Sequence, residues 1–171
     1  MANRLKIPVV VLLERRLLQR GRWKFPSWQL SGVLAGDALV HNLESSEDGQ
    51  KVRDTEHGEE FSWGGYSVTL YKDACERYWH SLISDEPKVY VVCDEDEADS
   101  AVVTPLLVTI DYDEAIAYVE TDQLVLSSEI TPELYRYMEA FVLQHYRPKP
   151  FEKRKRKKWT TEPPAHRRGL A

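Results

Sequence analysis

The chain has 171 residues, 42% hydrophobic and 30% charged, with a formal net charge of −5. That length suits one domain with an appendage, and a chain of this size buries a real core. No apolar run nears the ~18 residues of a membrane span. The first strand-like run ends in charge without a small-residue cleavage site, so no signal peptide is expected either.

The net charge hides a segregation. Residues 1–36 carry seven Lys/Arg and one Glu, residues 37–130 five Lys/Arg and 23 Asp/Glu, and residues 131–171 eleven Lys/Arg and four Glu. A body this acidic argues against reading nucleic acid along its surface and leaves that role only to the tail. Cys75 and Cys93 are the two cysteines. Both sit among apolar neighbours, which fits reduced structural thiols of the cytoplasm and not a disulfide framework.

In chain order, Ile7–Leu13 is a continuous run rich in β-branched residues. Such a strand needs cover on both faces and belongs in the centre of a sheet. Leu17–Arg22 reads as the connection to a second strand from Trp23, with Gly21 free to take a positive φ. Trp23 and Phe25 share one parity there, Trp28 and Leu30 the other. Pro26 between them predicts an edge or a bulge, and one extra residue would switch the parity. The aromatic cluster Trp23/Phe25/Trp28 reads as core or sheet cover, with a binding surface as the alternative.

Gly36–Glu60 has weak periodicity, and Glu44–Gln50 reads as a solvated loop. His41 and His57 lack partners at metal-ligand spacing. Phe61–Tyr71 is strand-like, with Gly64-Gly65 as a hairpin turn and not a phosphate loop. Asp73 is placed as a helix N-cap with Glu76 in a capping box. Ala74, Cys75, Tyr78, Trp79, Leu82 and Ile83 fall on one face of that helix. His80 lies ~140° round the helix from Cys75, so the two do not form a nucleophile–base pair.

Lys88–Cys93 is a further strand. Asp94–Asp99 holds five carboxylates in six residues, but it lacks the spacing of a calcium loop and reads as a charged connection. Ala101–Ile110 is a strand in which Pro105 predicts an edge or a bulge. Asp111 or Asp113 caps a short helix carrying Ala115, Ile116 and Val119, and Leu124–Leu126 is a strand or an extended link. Thr131-Pro132-Glu133 opens a last helix whose stripe is Leu134, Met138, Phe141, Val142 and His145. Pro148 and Pro150 end it.

Residues 148–171 lack periodicity and form a basic tail expected to be disordered. Lys153, Arg154, Lys155, Arg156, Lys157 and Lys158 are its candidate partner-binding residues. The partner expected is an acidic protein or the chain's own acidic body, with nucleic acid as the alternative.

The residues also carry a family likeness. Pro8–Arg16, Trp23 and Trp28 after the turn, Tyr66–Tyr78, Val108–Asp111, and Phe141 through Phe151–Arg156 resemble the bacterial domain-of-unknown-function family 3305. The resemblance implies a bacterial cytoplasmic protein. It implies genes near those of formate dehydrogenase and the molybdenum cofactor, hence an accessory or maturation role, and it assigns no catalytic residues. The Asp94–Asp99 loop and the Asp73-Ala74-Cys75 helix start look unlike the usual pattern.

The expected fold is one α+β domain over residues 1–147. A curved, mainly antiparallel sheet is covered by the C-terminal helix and one or two shorter helices. No cofactor or metal is expected. The expected function is a non-enzymatic accessory or protein-interaction protein, serving assembly of a molybdenum-dependent formate dehydrogenase. A nucleic-acid-binding protein using the tail, or a small enzyme with scattered site residues, are the alternatives.

Overall fold

A computed structural model describes residues 3–36, 49–99 and 101–148. His41, most of the Glu44–Gln50 loop and the tail with Lys153–Lys158 lie outside the described residues. The chain is α+β, but it forms two antiparallel sheets where one was expected. The first has the order β2-β1-β4-β3, from β1 Arg4–Arg20, β2 Trp23–Ala35, β3 Gln50–Asp54 and β4 Gly58–Tyr71. The second has the order β6-β5-β7, from β5 Lys88–Glu95, β6 Val103–Thr109 and β7 Leu124–Glu129. Local periodicity fixes which face of a strand is buried, but not which strand lies beside it.

The helices are α1 Cys75–Leu82, entered through a 3-10 turn at Lys72–Ala74, α2 Tyr112–Val119 and α3 Pro132–His145. No described helix is long and apolar enough to cross a membrane.

The Ile7–Leu13 run is central, as its composition predicts. β1 pairs with β2 from Val9 to Arg20 and with β4 from Arg4 to Arg16. Pro8 precedes the first β2 partner, so its missing N–H takes nothing from that ladder. Pro26 sits on β2, an edge strand, where proline is tolerated. The bulge falls instead at Ser31, since Leu12 pairs with Gly32 and Leu13 with Leu30. The register runs unbroken from Trp23 to Leu30, so Trp23 and Phe25 face one side of the ribbon and Trp28 and Leu30 the other.

Gly64-Gly65 is not a hairpin turn. Both residues lie inside β4 opposite Val10 alone, because Val9 pairs with Tyr66 and Val11 with Trp63. Gly65 has φ 84 there, which a bulge in mid-strand requires. β6 shows both features Pro105 predicts. It is an edge strand, and its register shifts beside Pro105, leaving Leu106 unpaired and half exposed.

One core joins the inner faces of both sheets. Val9, Val11, Leu13, Val68 and Leu70 from the first meet Val89, Val91 and Cys93 from the second. Cys75, Tyr78 and Leu82 of α1 and Leu134, Met138, Phe141 and Val142 of α3 complete it. α2 packs on all three strands of the second sheet, where Ala115 is buried.

The expected caps divide. Asp111 caps α2, its Oδ1 accepting from the Asp113 N–H at 3.1 Å. Asp73 does not cap α1, because the 3-10 turn has already begun at Lys72 and Ala74 takes the N-cap position. Thr131 precedes α3 as predicted, yet its hydroxyl donates to the Val33 carbonyl at 3.1 Å and ties the helix to β2.

Gly58 closes the end of β4 against Arg16. A Cβ there would overlap the backbone carbonyl of Arg15. Gly58→Ala is therefore expected to destabilise by about 1–3 kcal/mol, the ordinary cost of forcing backbone apart. A chemical-denaturation midpoint equal to that of the unaltered protein would contradict this close approach.

Candidate protein-docking site

The site grows from the unequal lengths of the strands. β4 stops at Gly58, opposite Arg16, so beyond that point only β1 and β2 continue. Leu17–Arg20 and Trp23–Pro26 form a two-stranded ribbon closed by Gly21-Arg22, with φ 61 at Gly21. Four residues a strand make roughly 13 Å of ribbon. The stretch expected to be a connection is thus mostly strand.

Residues paired directly across an antiparallel ribbon share a face. Leu18 pairs with Phe25 and Arg20 with Trp23 on one face, Leu17 with Pro26 and Gln19 with Lys24 on the other. Among the described residues no third strand lies beside them, and Leu17, Leu18, Trp23 and Phe25 are exposed, Trp23 by 79%. Residues 16–27 contain Arg16, Arg20, Arg22 and Lys24 and no carboxylate. The aromatic cluster therefore splits: Trp23 and Phe25 are surface, while Trp28 packs against the core.

Trp28 stands at the root of the ribbon, 5.7 Å from Phe61 and 6.1 Å from Trp63 between ring centres. The Arg15 guanidinium lies 5.1 Å from the Phe61 ring centre and 5.9 Å from that of Trp28, within cation–π range. Arg15 Nη2 donates to Glu59 Oε2 at 2.6 Å. Lys51 reaches Glu59 at 3.3 Å and Asp54 at 2.8 Å. The Arg15 hydrogen bond, seconded by Lys51, holds the Glu59 carboxyl below the usual carboxylate range. Asp54 first, then Glu59, pushes the Lys51 ammonium up.

The buried Nε1 atoms of Trp28 and Trp63 have no hydrogen-bond partner among the described residues. An unmet buried donor costs about 1–3 kcal/mol, so two side by side mark an unusual place. Two hollows open around Arg15. One, of about 530 Å³, is lined by Leu17 and Pro26 of the ribbon, by Thr55 and His57 of the β3–β4 turn and by Glu59 of β4. The other, of about 190 Å³, lies over Trp28, Phe61 and Trp63.

The other polar groups singled out in the sequence hold structure. Asp111 Oδ2 accepts from Arg77 Nε at 2.9 Å, and Glu114 accepts from the Thr109 hydroxyl at 2.8 Å. Asp96 and Asp99 accept from the N–H groups of Ala98 and Ala101, the turn chemistry of a charged loop. Cys75 and Cys93 are unbridged and buried, while His80 is exposed. No group of three or more His, Cys, Asp or Glu among the described residues is placed to hold a metal ion.

Arg15, Leu17, Leu18, Glu59, Phe61 and Trp63 were not anticipated as site residues. Continuing the strand parity of β1 past Arg16 would have exposed the ribbon. Nothing local in the sequence brings Glu59, Phe61 and Trp63 beside Arg15.

Fold and surface together define an α+β protein that presents a cationic, apolar hairpin beside an aromatic-lined cleft. The chain belongs to the DUF3305 family, described as a protein of unknown function, whose profile matches residues 8–155. No curated protein and no solved structure matches it.

Proposed function

We propose that this protein is a non-enzymatic accessory protein that docks on a client protein through the β1–β2 hairpin. The carrying observation is the exposure of Leu18, Trp23 and Phe25 on one face of a ribbon with three cations, Arg20, Arg22 and Lys24, and no carboxylate. Contiguous exposed apolar surface marks interaction sites, and Trp and Arg are the residues that most often dominate binding energy. The charge selects an acidic client. The basic run Lys153–Lys158 would add a second cationic contact, to the client or to the chain's own acidic body.

The family resemblance suggests the client: a molybdenum-dependent formate dehydrogenase during assembly or maturation. Nucleic acid is the competing reading, since cations interleaved with aromatics also suit it. One feature weighs against it: Leu17 and Leu18 are aliphatic and offer no stacking surface.

The test is a photo-crosslinking amino acid at position 19, on the same exposed ribbon, used in the native host. A covalent adduct with an acidic protein is expected. Leu18→Ser with Trp23→Ser should cut capture at least tenfold, because two central apolar anchors are lost. The melting temperature should stay unchanged, since both side chains are exposed. Adducts chiefly with nucleic acid would overturn the proposal.

A further inference from the structure

We propose that the cleft under the hairpin binds an extended, acidic and apolar segment of the client, with Arg15 receiving a carboxylate. This rests on the docking reading above and names what the client brings to it. The two hollows share Arg15 and Ala101, so they are parts of one cleft. The larger falls in the size range of ligand pockets.

Hydrogen-bonding capacity in the cleft is unbalanced. Its two lining carboxylates, Asp54 and Glu59, are already engaged by Lys51 and Arg15. Arg15 has five N–H donors and spends one on Glu59 among the described residues. Its ring contacts hold the guanidinium plane in place while leaving those donors unused. The two indole N–H groups beside it are also unpartnered among the described residues. Donors in surplus call for an occupant rich in acceptors. Walls of Trp28, Phe61, Trp63, Leu17 and Pro26 call for apolar flanks on either side of that acceptor.

The choice of a peptide follows from continuity. Leu17 belongs both to the exposed ribbon and to the mouth of the cleft. A client that wraps the hairpin onto its Leu17/Pro26 face has its own chain beside the opening. Arg15 lines both hollows, so an occupant that fills both runs past it, as an extended segment can.

The tryptophans supply separate reporters: Trp23 for the hairpin, Trp28 and Trp63 for the cleft. The experiment titrates the full ¹⁵N-labelled chain, its indole resonances assigned by Trp→Phe variants, with a capped octapeptide alternating Glu with Phe and Leu. Saturable shifts of the Trp28 and Trp63 Nε1–H signals are expected. The same peptide with Lys for Glu should bind at least tenfold more weakly. Arg15→Gln should weaken the Glu peptide by a similar factor. Arg15→Lys, which keeps charge but loses the planar fork, should fall between, and it carries the test if Arg15→Gln fails to fold.

Equal binding of the Glu and Lys peptides would overturn the inference. So would N-acetylphenylalanine matching the octapeptide, because the cleft would then be a small-molecule site. Movement of the Trp23 signal alone would overturn the cleft and leave the hairpin reading intact. Cleft shifts that persist in the Leu18→Ser, Trp23→Ser protein would support the inference, and lost client capture would then concern the hairpin alone.

Discussion

Leu134→Ala is expected to remove about 2–5 kcal/mol of stability, the range for truncating a large buried aliphatic side chain. Leu134 has no exposed surface and belongs to the core with Met138, Phe141 and Val142 of α3. Truncation loses the transfer free energy of the missing carbons and leaves a cavity in a close-packed core. A domain is stable by only ~5–15 kcal/mol, so this one change takes a large share. The same helix supplies a control. Leu143 is 74% exposed, and Leu143→Ala should stay within about 0.5 kcal/mol. Urea unfolding at unchanged m-value measures both. Equal losses for the two variants would show that α3 does not dock by the face assigned to it.

The contrast between these leucines was legible in the sequence, and so was much of the fold. The Leu134, Met138, Phe141 and Val142 stripe, the central place of Ile7–Leu13 and the Asp111 cap all rest on patterns spanning a few residues. Such patterns report burial and backbone chemistry directly. Pairings between distant segments do not. Arg15 and Glu59 are 44 residues apart, and the cluster of Trp28, Phe61 and Arg15 needs three strands in register. Two glycines in a row suit a turn and a bulge equally well, and only the partner strand decides which forms at Gly64-Gly65. The β1–β2 hairpin was expected, but the reach of its strands to Arg20 and from Trp23 was missed for a related reason. Leu17-Leu18-Gln19 looks like a loop only if the strand is assumed to end where its cover ends.

The core also sets an upper pH limit for the fold. Burial pushes the Cys93 thiol up from 9.0 to about 12 and the Tyr78 hydroxyl up from 10.0 to about 12. For Tyr78 this outweighs the Tyr71 N–H at 3.1 Å, a bond that favours the charged form. Cys75 shifts the same way, by burial first. A pKa raised in the folded state gives stability that is complete below the unfolded value and lost as pH rises through the folded one. Here that window runs from about pH 9 to about pH 12. At roughly 1.4 kcal/mol per tenfold change in acidity, the thiol is worth about 4 kcal/mol and the phenol about 3. Urea midpoints should therefore hold steady from pH 7 to 8.5 and fall steeply above pH 9. Tyr78→Phe and Cys93→Ala should each flatten that fall, even though Cys93→Ala lowers the starting stability by leaving a small cavity. Both native thiols should react slowly with a bulky reagent at pH 8, since the thiolate is the reactive form and burial suppresses it. Midpoints that stay level to pH 11 would show that these groups reach water in the folded state, and the buried places assigned to Tyr78 and Cys93 would have to be abandoned.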